Sequence, residues 1–302
     1  MPDTSHLLSQ VYVKVNGLDA AQMTRPQGEL ASDIMEITVD SSMHLPDVAT
    51  LVLHDPHLNW IDDTRLAPGA VLNIAFKTGD QTDTVFDGEI VELEPDFSPS
   101  TQQLTVRAFD RLHRLARGKL ARTFVNVNDG DLVSKIAGEV GLQGKHGPTT
   151  TVFDHVFQRN ETNLEFLQSR AAAVGYVLWV EGTTLHFDSP SSQTEVVATL
   201  QWGNSLSEFH PRLTTVGQEE EVTVRGWDPK QKQAIIGQAK TGQSAPAVGD
   251  QQPGGQVATK AFFAAKGLVT NRPVSDQTLA GKMAQGHADR NSGRFIEADG
   301  VG

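Results

Sequence analysis

The 302-residue sequence contains no cysteine. Disulfides, zinc–thiolate sites and thiol nucleophiles are therefore excluded, which agrees with synthesis in a reducing compartment. Aromatics are sparse, with four Trp and two Tyr, too few for the exposed platforms that a carbohydrate-binding β-protein would display. No apolar run approaches the roughly 20 residues needed to span a bilayer. The first ten residues, MPDTSHLLSQ, lack a basic region followed by an apolar core, so no secretory signal is expected. GxGxxG, GxxxxGK[ST] and GxSxG are all missing, leaving no nucleotide fingerprint and no nucleophile elbow. Positive charge is scarce at the start: residues 1–106 carry 4 basic and 17 acidic side chains, a net of −13.

What is present begins with the contrast to that acidic third. Residues 107–122, RAFDRLHRLARGKLAR, hold six Arg or Lys against one Asp, a net of +5, in a chain whose formal charge is −12. A nucleic-acid patch of this kind would ordinarily interleave stacking aromatics, but only Phe109 and Phe124 are close, and both fit core positions. The simpler reading is ion pairing with the acidic third, within one chain or between chains. Phe109, Leu112 and Leu115 are expected on the buried side, with Arg107, Arg111, Arg114 and Arg117 splayed across the other.

Period-two alternation marks strands in the first third: Val11, Val13 and Val15; Met35, Ile37 and Val39; Ala49, Leu51 and Leu53; then 70–76, 84–93 and 102–109. Asn16-Gly17 and residues 78–80 and 95–100 supply turns. The middle becomes helical. Leu132, Val133, Ile136, Ala137 and Val140 share one face, with Gly141 at the stop; Leu164, Leu167, Ala171 and Val174 form a second stripe. Thr162 and Glu165 have capping-box spacing, Gly175 ends the helix, and 176–188 reads as a hairpin turning at Glu181-Gly182. Strands return at 194–202, 219–227 and 233–239, the last two joined at Asp228-Pro229-Lys230-Gln231. Residues 240–256 read as a Gly- and Pro-rich loop. A last helix over 275–293 would be capped by Ser275 or Asp276, with Leu279, Ala280 and Met283 inward. The expected fold class is mainly β with an α+β insert: a barrel over 1–122, an α+β unit over 123–190, and a second barrel over 191–302 with a late helix.

His54-Asp55-Pro56-His57 invites a metal reading, with His44 as a third ligand for a metal-dependent hydrolase. The spacing is not HExxH, and Pro56 breaks any helix there. Strand end and turn, with Trp60 packed inward, describes the stretch better. Glu219, Glu220 and Glu221 enter a strand on alternating sides and so cannot converge on one substrate; solvated edge charge is the expectation. No residue is nominated as catalytic, cofactor-binding or metal-ligating, and no cofactor is expected.

The stretch 109–124, FDRLHRLARGKLARTF, resembles the junction of the phage late control D family, the hubs of contractile tails, whose fold is shared by VgrG hub-spike proteins of type VI secretion and by related extracellular injection particles. Residues 85–95, 126–142, 160–187 and 222–239 resemble that family's F-x-G-x-I strand, post-junction helix, helix-and-hairpin, and V-x-V-R-G-W-D-P hairpin, in the same order. The resemblance implies two tube-like β-barrels flanking a small α+β domain. It also implies a non-enzymatic homotrimer in the baseplate that adapts a six-fold inner tube to a three-fold spike. Implied partners are the tube-protein ring, a spike or needle-tip protein (separate or fused beyond residue 302), and baseplate wedge proteins, without membrane insertion and without specific nucleic acid. The implied location is the baseplate of a phage-tail-like particle, assembled from cytoplasmic protein and extracellular after release. Against the family pattern, the second barrel is expected to lack strands at its C-terminal end.

Overall fold

The computed structural model describes residues 10–78, 81–98, 102–190, 199–242 and 252–302. The first third supplies β1 (Gln10–Val15), β2 (Leu18–Asp19), a two-residue ladder of β3 (Thr24–Arg25) and β4 (Gly28–Glu29), and a one-turn helix α1 (Leu30–Asp33). Longer strands follow: β5 (Ile34–Asp40), β6 (Val48–His54), β7 (Val71–Thr78), β8 (Gln81–Phe97) and β9 (Gln102–Asp110). Seven of these form one curled, half-barrel sheet in the order β2-β1-β7-β8-β9-β6-β5. The alternation that predicts the strands also fixes which face is buried. Val13 and Val15, Leu51 and Leu53, Leu72 and Ile74, and Leu104 and Val106 all point into one core. Trp60 is fully buried there, its indole N–H donating to Asp33 Oδ2 at 2.7 Å. Asn16 and Gly17 both have positive φ, 51° and 79°, which the tight turn between β1 and β2 requires.

A 3-10 segment, Arg111–Ala116, leads out of this sheet. It is followed by β10 (Leu120–Val127), α2 (Asp129–Glu139), β11 (Gln143–His146), β12 (Phe153–Glu161), α3 (Asn163–Val174), β13 (Val177–Glu181) and β14 (Thr184–Asp188). Both helices open on complete capping boxes, Asn128 with Asp131 and Thr162 with Glu165. Gly141 and Gly175 follow them in the left-handed conformation, at φ 74° and 75°. Leu112 and Leu115 join Leu132, Ile136, Leu167, Leu185 and Phe187 in a second core. The antiparallel pair β10–β12 has no counterpart in the sequence expectation: its strands mix charge with apolar residues, and only their mutual pairing makes them strands.

The remainder contains β15 (Glu208–Leu213), β16 (Glu221–Asp228), β17 (Gln233–Lys240), α4 (Gly254–Ala261), β18 (Lys266–Val269), α5 (Gln277–Gly293) and β19 (Ile296–Val301). Among the described residues these make a three-stranded sheet, β17-β16-β18, and a separate two-stranded ribbon, β15-β19. The expected strand over 194–202 falls partly outside the described residues, and its described end holds only an isolated bridge at Trp202. The expected loop over 240–256 includes the start of α4. Gly254 and Gly255 sit there because a Cβ would stand 2.6 Å from the Phe295 ring and 2.2 Å from the Glu219 carbonyl oxygen. α5 is capped by Asp276 and buries Leu279, Ala280 and Met283 as expected. It lies on β17 so closely that a Cβ on Gly237 would meet the Ala280 backbone at 2.1 Å.

Candidate functional site

The basic stretch converges on one place. β9 ends at Asp110, whose carboxylate accepts from Leu112 N at 2.9 Å and starts the 3-10 segment. Three residues per turn superimpose side chains at i and i+3. Leu112 and Leu115 therefore enter the second core together, while Arg111 and Arg114 turn together toward β8. The period-three pattern of RLHRLA thus separates an apolar edge from a basic one.

On β8, Asp87 and Glu89 flank Gly88. A Cβ at Gly88 would stand 2.3 Å from the Phe109 carbonyl oxygen and 2.5 Å from the Phe86 ring, so only glycine lets β8 and β9 close at this point. Arg111 donates to Asp87 Oδ2 at 2.8 Å and to the Gly182 carbonyl, in the β13–β14 turn, at 3.0 Å. Arg114 chelates Glu89 and donates to the Val140 carbonyl, at the carboxyl end of α2, at 2.9 Å. His113 Nε2 lies 3.1 Å from the same carboxylate. The expectation that Arg111 is splayed outward is corrected: its side chain is 9 % exposed and that of Glu89 is 11 %. The carboxylates flanking Gly88 draw the guanidinium inward because a buried charge needs its partner.

The charges leave their mark on titration. Burial pushes the Glu89 carboxyl up, but hydrogen bonds from Arg114 and His113 and the charges of Arg114 and Arg111 outweigh it and hold the group below its ordinary range. Asp110 is the converse. Burial raises it to about 6, with Asp47 adding repulsion, against the pull of backbone hydrogen bonds and of Arg111.

The rest of the stretch is also largely neutralised within the chain. Arg107 bridges Glu92 and Glu94 at 2.7 and 2.8 Å. Arg122 binds Glu139 at 2.7 Å, Gln158 and Asn163, and lies over the Phe124 ring. Arg117 and Lys119 are exposed and have no ion pair among the described residues. The site is therefore an ionic joint. It ties the first sheet to α2 and to the β13–β14 hairpin, and it presents few free cations to a polyanion.

The histidine cluster has a different local explanation. His54, His57 and His44 are exposed. Asp55, between the first two, is buried and accepts from the backbone N–H groups of Asn59, Trp60 and Ile61. It shapes the turn after β6. Among the described residues no group of three or more His, Cys, Asp or Glu is placed to hold a metal. Glu219 departs from the expected solvated edge: it is half-buried, accepts from Asn291 Nδ2 at 2.6 Å, and ties the segment leading into β16 to α5. Sequence reasoning also missed a recess of about 950 Å³ between β12, α3 and the β16–β17 turn. There Arg170 stacks 4.4 Å over Phe153 and pairs with Asp129.

The family model of the Alg8 N-terminal domain matches residues 27–280. The chain belongs to this family. The match spans β5 to β9 of the seven-stranded sheet, the whole ionic joint and the first turn of α5. Among solved structures, the 43 kDa tail protein of prophage MuSo2 from Shewanella oneidensis superimposes with a TM-score of 0.65 at 15 % identity, covering 97 % of this chain and 82 % of that one. A tail protein from Neisseria meningitidis MC58 gives 0.62 at 16 % identity, covering 97 % and 80 %. The prophage tail protein gp18 from Listeria monocytogenes EGD-e gives 0.53 at 10 % identity, covering 92 % and 76 %. No curated protein matches the sequence. This family member thus has the fold of phage tail proteins, and the tail-protein resemblance carried by residues 109–124 holds at the level of fold.

Proposed function

We propose that the chain is a structural hub of a contractile injection system. In this reading it forms a homotrimer in the baseplate, between a six-fold inner tube and a three-fold spike. The observation that carries the reading is the tail-protein fold, extending over 97 % of the chain, joined to the ordered run of family-like segments in the sequence. The ionic joint supports it, since the strongest charge cluster is spent on fixing two units of the chain to each other and not on a substrate. The units proposed are a tube-like barrel over residues 1–122, an α+β insert over 123–190 and a second tube-like region over 191–302. Tube ring, spike and wedge proteins are the proposed partners, and the proposed role is non-enzymatic. A heterologous contact repeated by a three-fold rotation closes into a ring. The test is imaging of the assembled particle with light scattering on the isolated chain. A mass three times 32.7 kDa and density on the central axis between tube and spike are expected. A particle with this chain off the axis would overturn the reading.

A further inference from the structure

We infer that a ledge of basic side chains at the carboxyl end of α3 is the contact surface for the acidic outer face of the seven-stranded sheet in a second copy of this chain. Lys282, Gly286, Arg290 and Arg294 recur every four residues and so share one side of α5 and its C-cap. Gly286 marks where that side crosses α3: a Cβ there would stand 2.4 Å from the Gly175 nitrogen. Around the crossing, Arg290 donates to the Ala172 carbonyl, Arg272 to the Ser169 carbonyl at 3.4 Å, and Lys282 to the Pro148 carbonyl at 2.9 Å.

The partial negative charge at a helix C-terminus is about half an elementary charge, and four cations exceed it. None of them pairs with a carboxylate among the described residues. The adjacent Asp289 is half-buried and engaged by Gln285 at 2.7 Å. Arg272, Arg290 and Arg294 are exposed. Though Arg290 is exposed, partial loss of its water where it lies on α3, and then the charges of Arg272 and Arg294, push it below its ordinary value. The heads of Arg272, Lys282 and Arg290 are thus held in place by backbone carbonyls and, like Arg294, remain short of counter-charge, which lowers the ordering cost of binding an acidic surface.

Such a surface exists on this chain. The outer face of the seven-stranded sheet carries Glu36 and Asp40 on edge strand β5 and Asp96 on β8, all exposed and without an ion pair among the described residues. Opposite Glu36, Thr38 and Asp40, on β6, lie the half-buried Val52, Thr50 and Val48. Ledge and acidic face are different patches, so their contact between copies is heterologous and can close into a ring. The inference rests on the trimer reading and assigns that trimer a contact.

The test is sedimentation of the full-length chain over a range of concentrations, comparing wild type, R294E, R272E/R294E, E36K/D40K and the combination R272E/R294E/E36K/D40K. Arg294 makes no side-chain bond among the described residues, so R294E should keep the wild-type circular dichroism and melting temperature. Each reversal is expected to raise the concentration for half-assembly by about tenfold or more. The combination should recover most of that loss, and wild-type assembly should weaken as salt rises from about 0.05 to 0.3 M. Reversed variants that assemble like wild type, or a combination no better than either half, would overturn the contact while leaving a wild-type trimer and the hub reading intact. A wild type that stays monomeric at every concentration would overturn both. Loss of DNA retention in R294E with unchanged assembly would reassign the ledge and also overturn the contact.

Discussion

Replacing Glu89 by Ala removes the acceptor at the centre of the ionic joint. The carboxylate is almost fully buried and serves Arg114 through two nitrogens, His113 at 3.1 Å and Arg111 at 3.7 Å. Breaking a buried pair by deleting one partner costs about 3–5 kcal/mol, because the remaining charge is stranded. The Arg114 side chain is 30 % exposed and can rehydrate, and Arg111 retains Asp87, so the lower end, about 3 kcal/mol, applies. At roughly 2–4 °C per kcal/mol for a large domain, the melting temperature should fall by about 6–12 °C. The assay is calorimetry with hydrogen exchange, because three cores need not melt as one. Amide protection should fall in the β13–β14 hairpin and at the end of α2 as well as in β8, since Arg111 and Arg114 reach the Gly182 and Val140 carbonyls. The loss should depend on pH. A carboxyl held below its unfolded value contributes stability that is present above that value and lost as pH falls through the folded one. The gap between wild type and E89A should therefore shrink below about pH 4. A loss under about 1 kcal/mol, or one confined to the first sheet, would refute the joint.

Asp110→Asn should have the opposite sign. A carboxyl raised to about 6 makes the native state less stable as pH climbs from about 4 through 6. Asn keeps the cap, so the variant should gain up to about 3 kcal/mol at pH 8 and nothing below pH 4, as read by denaturant titration at several pH values. Gly286→Ala would force a Cβ against the Gly175 backbone. It should cost more than about 2 kcal/mol and raise amide exchange in α5. Arg117→Glu with Lys119→Glu touches exposed cations that make no ion pair among the described residues and should change stability by less than about 0.5 kcal/mol in thermal melts.

Much of the fold was legible in local signals. The capping boxes at Asn128 and Thr162, the glycines at 141 and 175, and the alternation in β1, β6, β7 and β9 all act within a few residues of chain, where sequence reading works. What escaped depends on distant partners. β10 and β12 are strands because they pair with each other, and β15 carries Pro211, which reads locally as a break. The glycines of α4 signalled flexibility, but close packing on Phe295 and Glu219 is what demands them. The site divides in the same way. The basic stretch, its period of three and its acidic complement were visible. That the complement is Asp87 and Glu89, on the two sides of Gly88, and that it pulls Arg111 inside, required strands some 24 residues apart in sequence to be brought together.

The joint also has a consequence for assembly order. Its contacts are short and directional, and a hydrogen bond weakens steeply once its angle or length is disturbed. A slippery apolar seam would let the first sheet and the α+β unit settle against each other only when a neighbour arrived. Here the angle between them is fixed in the single chain, by bonds from one six-residue segment to β8, the end of α2 and the β13–β14 turn. The chain therefore reaches any partner already shaped, and the entropy of orienting its units is spent during folding and not at docking. In the proposed assembly, association of such a chain should be limited by encounter and not by rearrangement.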